Sequence, residues 1–282
     1  MEYTVEKAPG SFGDREVFLY YFTSQKNVNV PAVLLLHGVH GRATPQETNK
    51  YGYLARVLSS SGYNVCLAET SRKRRDRENF EDREEWAAAA FLGKTFAMEV
   101  FDVCSALDCF AKKFPQTPGV LWGFSLGGLI SVLIAGKKGA EIAGLSGMEA
   151  PPDRSISGLI ASGIGDRLSP AAEEGLALPI LDSLCERSLL LSAASCALVD
   201  FALFFYGDED ESFTEASSRR IFDRLPLEED RREFCIVKGA DHAFRRVGGV
   251  PSGAALDEML IKTRAALAGN LKNTGSLTRK EG

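Results

Sequence analysis

The chain has 282 residues and a formal net charge of −5, with 45% hydrophobic and 25% charged side chains. That balance describes a globular domain with a large core and excludes a disordered or collagen-like chain. The mild negative charge argues against general affinity for nucleic acid or anionic membrane.

The N-terminus, Met1-Glu-Tyr-Thr-Val-Glu-Lys7, is polar where a secretory signal would be apolar. No apolar run reaches the ~20 residues that span a bilayer. The six cysteines, Cys66, Cys104, Cys109, Cys185, Cys196 and Cys235, form no CxxC pair. They read as buried reduced thiols, which suits a cytoplasmic location, and no ligand cluster suggests a metal.

Extended runs are expected at Glu2–Lys7 and Arg15–Thr23. The continuous apolar run Pro31–Leu36, ending at His37-Gly38, reads as a buried strand. A helix over Gln46–Ser61 stops at Gly62, and Asn64–Thr70 is the next strand. Ala97–Phe114 repeats apolar residues at three and four and ends before Pro115. A strand over Gly119–Gly123, a helix over Leu126–Ala135 and a short strand over Ile142–Ser146 follow. Ala197–Tyr206 and Glu233–Lys238 read as late strands, with helices over Glu215–Leu225 and Ala254–Leu271. This alternation predicts a mostly parallel sheet covered on both faces within a single domain, 1–282. Residues 153–196 break the rhythm. They start rich in Gly, Ser and Pro and turn helical around Pro179–Leu191, which is too long for an ordinary connection and reads as a small helical lid.

Gly123-Phe124-Ser125-Leu126-Gly127 matches G-x-S-x-G between an apolar strand and a helix. That context is what a nucleophile elbow requires: the turn exposes the serine hydroxyl, and the helix N-terminus faces developing negative charge. A phosphate loop is disfavoured because no Lys-Ser/Thr follows. The chain has three histidines, and His242 follows the last strand on the sheet edge where Ser125 emerges. It is the candidate base. His37 is expected to fix the loop after the third strand by hydrogen bonding. His40 reads equally as a wall of the acyl pocket or an exposed bystander. Asp210, Asp208 and Glu149 all follow expected strands, and any of them satisfies edge position as the acid.

The landmarks His37-Gly38, Ser125, Gly207-Asp-Glu-Asp210 and Asp241-His242, in the order Ser, acid, His, resemble the α/β-hydrolase superfamily. The short lid and the His-Gly-x loop resemble its carboxylesterase and dienelactone-hydrolase-like branches. The resemblance implies a three-layer sandwich with an eight-stranded sheet whose second strand is antiparallel. It implies oxyanion donors at Val39 and Leu126, and its G-x-x-D pattern favours Asp210. Expected activity is hydrolysis of a small-molecule ester through an acyl-enzyme on Ser125, without cofactor or metal. Peptidase, thioesterase or carbon–carbon hydrolase chemistry on the same residues is the alternative, and a non-catalytic binding protein is a more distant one. The charged run Ser71–Glu85 carries six basic and six acidic side chains and reads mainly as solvated surface. A narrower reading lets Arg72–Arg75 reach the site mouth and bind a carboxylate or phosphate.

Overall fold

The computed structural model describes residues 2–24, 30–39, 41–173, 179–245, 253–269 and 271. Its strands are β1 (Thr4–Pro9), β2 (Glu16–Phe22), β3 (Ala32–Leu36), β4 (Asn64–Glu69), β5 (Gly119–Phe124), β6 (Gly158–Ser162), β7 (Phe201–Gly207) and β8 (Arg232–Val237). They form an eight-stranded sheet in the order β1-β2-β4-β3-β5-β6-β7-β8. Only β2 runs against its neighbours; the pairs from β4 through β8 are parallel. The long helices are α1 (Lys50–Ser60), α2 (Arg83–Phe91), α3 (Phe96–Lys113) and α4 (Leu126–Ala135). The others are α5 (Gly139–Gly144), α6 (Pro170–Glu173), α7 (Pro179–Asp182), α8 (Arg187–Ser195), α9 (Glu215–Phe222) and α10 (Gly253–Leu267), the last helix among the described residues.

Period-two alternation within each strand divides the core between the two sheet faces. Leu34, Leu36, Leu121, Ala161 and Phe204 pack with α3, α4 and α8. Val33, Leu35, Trp122, Ile160 and Phe205 pack with α1 and α10. Because both faces are covered, β3, β4 and β6 are buried along their whole length, which explains the continuous apolar stretches Ala32–Leu36, Val65–Ala68 and Gly158–Ala161 within them. Every residue of α4 is buried as well. Among the described residues no helix is long and apolar enough to cross a membrane.

Two expectations require correction. Ile142–Ser146 is not a strand: Gly139–Gly144 is helical, and its Ile142 and Ala143 are buried. The strand beside β5 is Gly158–Ser162, inside the segment assigned to the lid. A five-residue apolar run fits either state, so periodicity could not choose. The long connection therefore begins after β6, and residues 163–200 carry α6, α7 and α8.

The chain leaves β3 toward β4 on one side and leaves β5 toward β6 on the other. The β3–β5 border is thus a topological switch point, where a crevice opens at the carboxyl ends of the strands. Gly38 and Val39 follow β3 there, and Ser125 follows β5.

Candidate active site

Ser125 joins β5 to α4 with φ 51° and ψ −120°, a strained conformation for a residue with a side chain. The surrounding structure enforces it. The Ser125 amide donates to the Ser162 carbonyl at 2.8 Å, extending the β5–β6 ladder one residue past the strand. Trp122 Nε1 donates to Ser162 Oγ at 2.9 Å. A Cβ at Gly123 would lie 2.3 Å from the Gly127 carbonyl oxygen, so the elbow closes only with glycine at that position. Gly38 matters for the same reason: a Cβ there would lie 2.8 Å from Ser125 Cβ.

His242 stands on the loop after β8, with Nε2 3.0 Å from Ser125 Oγ. Its Nδ1 lies 2.9 Å from Asp210 Oδ2 and 3.1 Å from Oδ1. The Asp210 side chain is fully buried. It also accepts the backbone amides of Ser212 at 2.8 Å and Phe213 at 3.1 Å. Those two bonds hold the carboxylate against the Nδ1 side of the imidazole and leave the Nε2 side turned to Ser125. The Phe213 ring packs 5.6 Å from the imidazole.

The other two candidate acids are not in this constellation. Asp208 accepts the Gly239 amide and pairs with Lys238 at 3.2 Å. Glu149 is exposed in the connection before β6, because the strand expected ahead of it is a helix.

His37 is buried and does fix its loop. Nδ1 lies 2.8 Å from the Gly38 carbonyl, and Nε2 accepts the Thr70 amide at 3.2 Å. Burial, assisted by the nearby Arg72 charge, pushes its pKa down to about 3, so the ring is neutral. Expectations for His40 fall outside the described residues.

Arg72–Arg75 do not reach the site. Arg72 is fully buried, pairs with Glu69 at 3.4 Å and donates to the Gly41 carbonyl at 3.2 Å. It braces the loop after β3 from beneath. Arg75 pairs with Asp14 at 2.6 Å and Arg74 with Asp76 at 2.6 Å.

Ser125 and His242 open into a cavity of about 680 Å³, which Val39 and Leu126 also line. One part is apolar, formed by Phe96, Leu126, Leu129, Leu181, Leu184 and Leu190. The Phe96 amide donates to Ser183 Oγ at 2.8 Å, tying the inserted segment to the start of α3. Arg187 and Arg220 both hold Asp166 at 2.6 Å, fastening α8 to α9. The other part of the wall is basic and includes Lys50 and Arg83. Neither residue was singled out from the sequence: Lys50 looks like an ordinary helix residue, and Arg83 is hidden in a run of mixed charge.

No protein-family profile matches this chain, and no curated protein matches it in sequence. Solved structures do. A thermostable carboxyl esterase from Bacillus coagulans aligns with TM-score 0.64 and 13% identity, covering 96% of this chain and 99% of the esterase. A monoglyceride lipase from Saccharomyces cerevisiae aligns with TM-score 0.61 and 14% identity, covering 96% of this chain and 95% of the lipase. An acylaminoacyl peptidase from Pyrococcus horikoshii aligns with TM-score 0.62 and 14% identity, over 94% of this chain and 41% of the peptidase. At such identities the likeness concerns architecture, and with the sheet order and the strained turn after β5 it is decisive: this chain has the α/β-hydrolase fold.

Proposed function

We propose that the protein hydrolyses carboxylic esters through an acyl-enzyme on Ser125. The observation that carries this reading is the unbroken chain of contacts from Asp210 to His242 to Ser125 Oγ, at 2.9 Å and 3.0 Å, opening into the cavity. A binding protein has no need of an acid, a base and a strained hydroxyl in series.

In the proposed reaction His242 Nε2 takes the Ser125 proton as Oγ bonds to the ester carbonyl carbon. The carbonyl π electrons move onto oxygen, where the Val39 and Leu126 amides receive the charge with help from the α4 N-terminus. Collapse expels the alkoxide, which leaves as the alcohol with the proton from His242. Water then repeats the sequence and releases the acid. Asp210, hydrogen-bonded to Nδ1, stabilises the imidazolium. The reading assigns α7, α8 and their connections the role of a lid over the acyl chain, because Leu181, Leu184 and Leu190 supply apolar wall. Replacing Leu184 with Trp is expected to shorten the preferred acyl chain.

The test is turnover of 4-nitrophenyl butyrate and of its anilide by wild type and Ser125→Ala, alongside labelling by a fluorophosphonate. Loss of a serine nucleophile costs on the order of a millionfold in kcat. Wild type should cleave the ester far faster than the anilide, and the variant should neither turn over nor label. A variant within tenfold of wild type would refute the assignment, and preference for the anilide would turn it to a peptidase.

A further inference from the structure

The chemistry proposed above employs Ser125, His242, Asp210 and two backbone amides. It leaves the basic part of the cavity wall without a role. Arg42, Lys50, Arg77, Arg83 and Arg245 line this part in a protein whose net charge is −5. Among the described residues the one carboxylate lining the cavity, Asp166, is already held by Arg187 and Arg220.

Two of these cations are near carboxylates: Arg245 pairs with Asp241 at 2.9 Å, and Arg42 lies 4.0 Å from Glu78. Arg77 keeps its charge and donates to the Phe80 carbonyl. Among the described residues Lys50 and Arg83, like Arg77, form no ion pair, but Arg77 is tied to a carbonyl of its own turn. Lys50 Nζ instead stands 4.2 Å over the Phe124 ring and 3.5 Å from the Ala243 carbonyl oxygen. Phe124 precedes the nucleophile and Ala243 follows the base, so this ammonium is placed beside the reacting centre. Its charged neighbours are Asp241, which favours the ammonium, and Arg83 and Arg245, which oppose it.

Local stability does not account for either residue. Each opens a helix, α1 and α2 respectively. A cation there faces the positive end of the helix dipole, where acids are preferred. The first turn of α1 holds no acid at all. In α2, Glu84 and Glu85 follow the dipole rule, and Arg83 alone breaks it while lining the cavity. Like charges gathered in a partly desolvated concavity cost free energy in the empty protein and recover it when an anion enters.

We infer that the ester cleaved at Ser125 carries an anionic group, a carboxylate or a phosphate, bound between Lys50 and Arg83. This rests on the ester-hydrolase reading and specifies its substrate class. The guanidinium supplies a fork matched to either oxyanion and the ammonium a point charge.

The experiment compares matched esters. On the alcohol side they are 4-acetoxybenzoate, 4-acetoxyphenyl phosphate and the uncharged methyl 4-acetoxybenzoate. On the acyl side they are mono-4-nitrophenyl glutarate and its methyl ester. Phenol release at low ionic strength should favour at least one anionic ester over its uncharged partner by on the order of tenfold in kcat/KM, the scale of one charge-assisted hydrogen bond. The phosphate compound tells which anion is preferred. The ratio should shrink with added salt and approach one in Lys50→Met and Arg83→Gln, while Arg83→Lys keeps most of it. Arg83 is exposed, so its variant carries the test should Lys50→Met fail to fold. Ratios of one or below for every pair, or a ratio indifferent to both variants, would overturn the inference. Turnover of the neutral esters reports separately on the hydrolase reading. Where wild type turns over nothing, calorimetric binding of 4-acetoxybenzoate and its methyl ester to Ser125→Ala reads the same ratio, and equal affinities overturn the anion site.

Discussion

His242 Nε2 lies 3.0 Å from Ser125 Oγ across 117 residues of sequence. The contact exists because β5 and β8 are parallel members of one sheet and release their following loops at the same edge. Asp210 reaches that edge from β7, which lies between β6 and β8. Asp210→Asn should therefore lower kcat on 4-nitrophenyl butyrate by on the order of 10⁴, since the amide side chain no longer stabilises the imidazolium or its working tautomer. Asp208→Asn should stay within tenfold, because that carboxylate is turned toward Gly239 and Lys238. Steady-state kinetics of the two purified variants checks the assignment, and the reverse ranking would move the acid two residues upstream.

Gly38→Ala tests the fit of the loop after β3 against the elbow. The added methyl would lie 2.8 Å from Ser125 Cβ and 3.4 Å from its Oγ. Backbone or serine must yield, and displacement of the nucleophile or the Val39 amide should cost on the order of 10² in kcat. Fluorophosphonate labelling should slow in parallel, with near-wild-type circular dichroism. Unchanged kinetics would mean that this loop stands farther from the reacting atoms.

Asp166 should contribute to acid resistance. Burial would raise its pKa, but the bonds from Arg220, Arg187 and Ser217 outweigh it and hold the group at about 2, below the ordinary 3.8. A carboxyl with a depressed folded pKa stabilises fully above its unfolded value and loses that contribution as pH falls toward the folded one. Asp166→Asn should thus lower Tm by a few degrees at pH 6. The gap should close between about pH 4 and pH 2. A gap that persists at pH 2 would show that packing, not charge, fastens α8 to α9.

Lys50 carries the opposite sign. Desolvation is the main cause that brings its ammonium down to about 7 from the ordinary 10.5. Below about pH 7 the fold must accommodate the charge, so the cost is complete there; it fades as pH rises toward 10.5. Lys50→Met should therefore raise Tm at pH 6 and do so less at pH 10. Differential scanning at the two pH values decides it, and a variant less stable at pH 6 would make Lys50 a structural residue. A stabilising change that removes substrate preference is the pattern expected of a residue retained for function.

The sequence by itself determined the ordered alternation of strands and helices, the strand–Ser–helix context of Ser125 and the place of His242 after the last strand. Those features rest on local chemistry: continuous apolar runs mark strands covered on both faces, and glycines mark a turn that admits no side chain. The G-x-x-D resemblance favoured Asp210, but only the tertiary structure shows which carboxylate stands beside His242, because the two are two residues apart in one turn and different hydrogen-bond partners orient each. Only it decided that Gly158–Ser162 enters the sheet while Ile142 and Ala143 lie in a helix, since short apolar runs satisfy either period until partners are present. The basic wall depended most on the fold. Lys50 and Arg83 are separated in sequence by the rest of α1, β4 and most of the charged run, and become neighbours because α1 and α2 both open onto the crevice beside β3 and β5. Charge composition along a chain does not encode which charges share a cavity; the crossing of the connections at the sheet edge does.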